Sequence, residues 1–290
     1  MGLRLKFNLV LLVVFAFGLG VTAYLSWTLL QRNAREEVVR HAGLMMEAAL
    51  AIRAYTVDQV RPQLDLQLMR VFLPQSVPAY AATETLTQIK KKYADYSYKE
   101  ATLNPTNPRN RATDWEADLV QEFKNRSGLT ELIGERDTPT GRSLYIARPI
   151  KITNPACLPC HTTPEAAPPT MIKYYGSNNG FGWKLNDIIG AQVVSVPTAV
   201  PFANAERAFF TFIGSLAIVF GVVFVVLNVM LSQMIVKPIA SMSRAADQVS
   251  TGNFEIQEFA EKGKDEIAVL GKAFNRMRRS LQKALQMIEG

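Results

Sequence analysis

The chain has 290 residues, 48% hydrophobic and 20% charged, with a net charge of +7. No charged residue occurs from Phe7 to Gln31 or from Ala208 to Val236, and each stretch exceeds the roughly 20 apolar residues that cross a bilayer as a helix, which excludes a freely soluble protein. The aromatic and branched content excludes a disordered one, and no clustered basic face invites nucleic acid: Lys90 to Lys92, the only continuous basic run, reads as a solvated helix end.

Arg4 and Lys6 precede the first apolar stretch, while Lys237 and Arg244 follow the second. The positive-inside rule then places both termini in the cytoplasm and the middle of the chain outside. The expected division is 1–31 for an N-terminal stub and first transmembrane helix, 32–207 for an exported domain, 208–233 for a second transmembrane helix, and 234–290 for a cytoplasmic tail. Val21, Thr22 and Ala23 loosely match a signal-cleavage site, so removal of residues 1–23 is the alternative; the apolar run through Leu30 favours a retained anchor. Either outcome exports the middle segment.

In chain order, Val38, Ala42, Met45, Ala49 and Ile52 recur at steps of four and three within the Pro-free stretch Glu36 to Val60, predicting an amphipathic helix that continues the first span. Pro62, Pro74 and Pro78 interrupt the next stretch, and Thr83 to Tyr93 again reads as helix. Asn104, Pro105, Thr106, Asn107 and Pro108 form a rigid turn, because each Pro fixes its own φ and pushes its predecessor out of helical space. Thr113 or Asp114 then caps a helix running through Phe123 and ending near Gly128. Leu129 to Ile133 and Ser143 to Ile150 read as strands around the turn Asp137 to Gly141, and Ile188 to Val196 as a third β-rich run, so the exported domain is expected to be α+β.

The only two cysteines stand in Cys157-Leu158-Pro159-Cys160-His161, the C-x-x-C-H spacing of covalent c-type haem attachment. Two thiols three positions apart can form thioethers to the two vinyl groups of one haem, and the adjacent imidazole then sits beneath the iron as a proximal ligand. A disulfide would leave His161 unexplained, and zinc would need ligands beyond these three, although the only other histidine is His41. For the sixth position the long helix offers His41, Met45 and Met46, of which Met45 also belongs to the apolar stripe; Tyr80, Met171 and an open site stay available. The glycines of Gly176 to Trp183 do not follow a phosphate-loop spacing and read as a turn into the last strand, with Phe181 and Trp183 packing on a core or on the haem. No nucleophile with a partnered base stands out, so no enzyme is expected.

Past the second span, Ile239, Met242, Ala246 and Val249 form one heptad seam after Pro238, and Ile267, Leu270, Phe274, Met277, Leu281, Ala284 and Ile288 form another. The connector carries Gly252, Phe254 and Ile256, and Asp265 and Glu266 open the second seam. Two such helices cannot bury both seams alone, which implies a dimeric four-helix bundle of which each chain supplies half.

From Met234 to about Leu285, the Pro after the span, the Gly before the connector's apolar pair and the Asp-Glu-Ile at the second helix together resemble a HAMP domain. That resemblance implies a parallel dimeric relay of transmembrane signals. Over roughly residues 40 to 200 the chain resembles the PAS-like, c-type haem sensor domains of bacteria. The resemblance rests on Arg53 to Thr56, the turn Asn104 to Pro108 followed by Trp115 and Glu116, the C-x-x-C-H, and Gly180 to Trp183. It implies a homodimeric two-pass receptor of the bacterial inner membrane, with the sensor in the periplasm and one haem c per chain. It also implies sensing of redox state or a small gaseous ligand, and a cytoplasmic kinase or chemoreceptor-like output. Some members use a third cysteine as distal ligand, which this chain lacks. The second HAMP seam is still in phase at Gly290, so the output is expected either from a separate protein or from residues beyond it. The alternative function is that of a membrane-anchored c-type cytochrome delivering electrons to an external partner.

Overall fold

The computed structural model describes residues 2–126, 128–139, 141–259 and 263–289. Contacts divide the chain into two compact units, Thr28–Ala208 and a second made of Met1–Trp27 with Phe209–Gly290.

The first unit contains a four-stranded antiparallel sheet of order β1-β4-β3-β2, built from β1 (Ser97–Thr102), β2 (Leu132–Thr138), β3 (Gly141–Lys151) and β4 (Ile188–Pro197). Alternate residues of the central strands point to opposite faces, and both faces are covered. Leu144, Ile146, Val194 and Val196 pack with Val38, Ala42 and Met46 of the long helix α1 (Leu3–Tyr55). Tyr145, Ala147, Ala191 and Val193 pack with Leu119, Val120 and Phe123 of α4 (Asp114–Asn125). Burial on both faces is why the β4 sequence is apolar almost throughout instead of alternating. Between α1 and β1 lie α2 (Asp65–Leu68) and α3 (Pro78–Lys92), the latter beginning a turn before the expected start because Pro78 suits the first helical position, and between β3 and β4 lie α5 (Leu158–His161) and α6 (Pro169–Tyr175).

Two strands depart from the sequence expectation. β1 was not anticipated, since its Lys99 and Glu100 look like surface residues. Both are engaged inside the domain: Lys99 Nζ donates to Glu116 Oε2 at 2.6 Å, and Glu100 is paired with Arg53. β2 runs from Leu132 to Thr138, not Leu129 to Ile133, and therefore occupies part of the expected turn. Its charged second half lies on a sheet edge, where pairing with Leu144, Ser143 and Arg142 needs no apolar alternation. Thr140 of that turn and the side chain of Ile288 in the second tail seam lie outside the described residues. The cap of α4 is as expected: Thr113 and Glu116 form a capping box, with the Thr113 backbone N–H donating to Glu116 Oε2 at 2.8 Å.

In the second unit, α1 and α7 (Ala199–Met230) contain the two stretches long and apolar enough to cross a membrane. Their rings meet at Phe15 with Phe220, stacked at 4.9 Å, and at Trp27 with Phe209, edge to face at 5.1 Å. A π-helical segment, Leu231–Val236, joins α7 to α8 (Lys237–Ser250), just ahead of Pro238; another, Thr56–Val60, follows α1 ahead of Pro62. Proline lacks the N–H of the preceding ladder and crowds the carbonyl four residues back, and the widened turn accommodates it without ending the helix.

α8 buries Met242, Ala245 and Val249, so the inward position is Ala245 where the heptad reading had Ala246. The connector after α8 is held against α9 (Glu266–Glu289) by two polar side chains. Asn275 exchanges two hydrogen bonds with the Phe259 backbone, and Arg278 Nη1 donates to the carbonyls of Phe254 and Ile256 at 3.0 and 2.6 Å. The predicted α9 seam is divided: Phe274 packs edge to face on Phe259 of the connector at 5.4 Å, while Leu270, Met277 and Leu281 are 50%, 47% and 45% exposed in the single chain.

Candidate functional site

The first unit holds a cavity of about 370 Å³, within the range of cofactor sites. Its wall includes Cys157, Cys160 and His161 together with Trp183, Met171, Ile150, Ile152 and Ile189, and also Arg53, Arg61, Glu100 and Arg109.

The C-x-x-C-H segment is a 3₁₀ turn, Pro155–Cys157, leading into the single helical turn α5 (Leu158–His161). Asn154 starts it by accepting the Ala156 N–H at 2.9 Å. Helical winding brings positions 157, 160 and 161 to one side, which is how three residues adjacent in sequence come to share a cavity wall. Both thiols are free and half-buried. Burial pushes each thiol pKa up; Arg61 and Arg53 pull Cys157 back, and Arg61 does so at Cys160.

His161 is oriented by the glycine-rich loop. Its Nδ1–H donates to the Gly180 carbonyl at 2.7 Å, and its ring stacks on Trp183 at 3.8 Å with an interplanar angle of 12°. The loop is tied to α5 by the Trp183 N–H on the His161 carbonyl at 3.1 Å, and to the Asn104–Pro108 turn by the Gly180 N–H on Asn104 Oδ1 at 3.2 Å. With Nδ1 committed to a carbonyl, Nε2 carries the free lone pair, the arrangement that prepares a histidine to bind iron. Residue type and spacing carry no hint of the Gly180 contact. Only the positions of glycine in that loop signalled unusual backbone, and Gly180 does adopt φ +88°.

A Cβ on Gly180 would overlap Thr106 Oγ1 and come within 2.8 Å of Thr106 Cα. Gly180→Ala therefore combines a left-handed φ with a backbone clash, and we expect a loss of about 2 kcal/mol in unfolding free energy. Chemical denaturation of the purified chain checks this; an unchanged midpoint would contradict it. Burial also lowers the His161 pKa below its ordinary range, with the Gly180 hydrogen bond acting the other way. Because the folded pKa is depressed, the unfolded chain takes up more protons once the pH falls below about 6.5, and stability is lost in that window. Thermal unfolding of the cofactor-free chain should thus show an acid-side decrease that His161→Gln lacks; identical pH profiles would refute it.

The other candidates for an iron ligand divide clearly. Met46 lies in the α1–sheet core and Met45 packs against that core, while His41 is exposed; none of the three lines the cavity. They sit on the turns of α1 that cover the sheet, whereas α1 reaches the cavity only with Arg53. Met171 and Tyr80 do line it. Among the described residues no group of three or more His, Cys, Asp or Glu side chains is placed to hold a metal ion.

Arg53 and Glu100, which the sequence did not mark as a pair, form the polar floor. Arg53 Nη1 donates to both Glu100 carboxylate oxygens at 2.5 Å, Tyr98 OH donates to Glu100 Oε1 at 2.8 Å, and Gln192 Nε2 donates to Tyr98 OH at 3.4 Å. Burial and the adjacent carboxylate hold the Tyr98 phenol far above its ordinary range, so it stays a donor.

Residues 31–197, more than half of the chain, match the Tll0287-like family. The chain belongs to that family. Residues 230–283 match the HAMP domain, so the Tll0287-like domain is followed by a HAMP domain, as the sequence resemblance implied. A solved structure similar to the Tll0287-like domain is the crystal structure of the cyanobacterial haem-protein Tll0287, 18% identical, with a TM-score of 0.44 over 56% of this chain and 95% of that one. Comparison with curated proteins gives no match.

Proposed function

We propose that this protein is a membrane-bound haem sensor. Its domain over 32–207 lies in the periplasm of a bacterial inner membrane and holds one haem c per chain, while both termini lie in the cytoplasm. Cys157 and Cys160 attach the group and His161 Nε2 is the proximal ligand. The observation that carries the reading is that both thiols and an imidazole with its Nδ1 already bonded to Gly180 line one cavity with largely apolar walls. The donor set fits the group, since each residue offers the atom that attachment or ligation needs.

A bound haem would supply a change of oxidation state or of ligation. The residues of this chain would convert it into a displacement. Arg53 is on α1, the helix containing the first apolar stretch, and Gln192 is on β4, which runs into α7 with the second. The Arg53–Glu100–Tyr98–Gln192 network therefore joins the segments leading to both spans. The exposed α9 seam supports a homodimer in which two HAMP halves complete a four-helix bundle and bias a cytoplasmic signalling partner. The test is cysteine crosslinking across the HAMP helices with the haem oxidised and then reduced. A changed crosslinking pattern is expected, and an identical one in both states would overturn the signalling reading.

A further inference from the structure

The cavity wall contains three arginines and one carboxylate, and their charges do not cancel evenly. Arg53 is neutralised by Glu100, and Arg109 Nη1 pairs outside the wall with Glu84 at 2.5 Å. Arg61 forms no ion pair among the described residues, although it is half-buried and its charge acts on both thiols. One uncompensated cation is thus left beside a largely apolar space, where an anionic partner is favoured because charges there are poorly screened.

Arg53 adds direction to that charge. Both of its hydrogen bonds to Glu100 leave from Nη1, so its Nε and Nη2 donors have no protein partner among the described residues. Glu100 is only 3% exposed and is itself fixed by Tyr98, which clamps the planar guanidinium in one orientation. Donors held this way need no reorganisation when an acceptor arrives.

We propose that the cavity binds a small inorganic anion at the ferric iron of a bound haem, with Arg53 as its hydrogen-bond donor and Arg61 as the charge that draws it in. This rests on the haem reading given above. The shared chemistry is an anionic acceptor at an arginine, and a haem propionate is the other possible source of one.

The experiment is an absorption titration of the haem-loaded, ferric full-length chain in detergent with azide and with fluoride at constant ionic strength. Arg53→Gln and Arg61→Gln are compared with the parent, and carbon monoxide on the ferrous protein serves as the neutral ligand. Loss of a charge-assisted hydrogen bond should weaken azide and fluoride binding about tenfold or more in Arg53→Gln. Arg61→Gln, which breaks no ion pair and should fold normally, should weaken both anions about threefold or more while carbon monoxide affinity stays within about threefold. Anion affinities unchanged in both variants would overturn the proposal, and would assign the arginines to a propionate if haem retention fell instead. Failure of the parent chain to bind either anion would overturn it too, as a resident ligand such as Met171 would require. A chain without haem fails earlier, in the haemochrome spectrum, and that result counts against the haem reading itself.

Discussion

Replacing Cys157 and Cys160 together by Ala is expected to abolish covalent haem completely in a host competent for c-type maturation. Haem staining of a denaturing gel and a pyridine haemochrome spectrum read the effect directly. The reasoning is geometric. The two thiols, Cys157 at the end of the 3₁₀ turn and Cys160 in α5, line the same cavity, and no other cysteine in the chain could take their place. His161→Ala separates attachment from ligation: the covalent link should persist in that variant while the axial ligand is lost, which a shifted and broadened spectrum would register. Haem that co-purifies with the double variant and still resists acid-acetone extraction would refute the assignment. A parent chain lacking any haem absorption would leave a HAMP-linked receptor of another ligand.

The second large effect belongs to Glu100. Glu100→Ala strands the Arg53 guanidinium and the Tyr98 hydroxyl in a wall where both were partnered, and removing one member of a buried pair typically costs about 3–5 kcal/mol. Arg53 keeps some access to solvent, so the lower end, about 3 kcal/mol, is expected. Glu100→Gln retains an acceptor for one donor and should cost distinctly less. Chemical denaturation of the two variants against the parent decides this, and a loss below about 1 kcal/mol in Glu100→Ala would show that the pair contributes little.

The C-x-x-C-H, the two apolar stretches and the tail seams could be read from residue type and spacing, because each depends on a local repeat or a fixed offset. The helices α1 and α4 were likewise evident from periodicity and the Thr113 cap. β1 was invisible because its charged residues are paired within the domain, Glu100 with Arg53 of α1 and Lys99 with Glu116 of α4, and such partners are far apart in sequence. For the same reason the sequence could nominate Met45, Met46 and His41 as iron ligands without knowing that those turns of α1 cover the sheet. It could not single out Arg53, about two turns beyond Met46, as the residue of α1 that reaches the cavity. The role of Gly180 was hidden because its carbonyl, not a side chain, orients His161.

The π-helical segment Leu231–Val236 bears on how the tail should be numbered against the second span. A wide turn holds one surplus residue compared with an α-turn, and one residue in an α-helix corresponds to about 100° of azimuth. Side chains before Leu231 and after Val236 are therefore offset by about that angle from where an uninterrupted helix would put them. A heptad frame read continuously from Phe220 through Pro238 would assign the wrong stripe to α8, so the frame has to be restarted at the proline. The buried Met242, Ala245 and Val249 set that new origin.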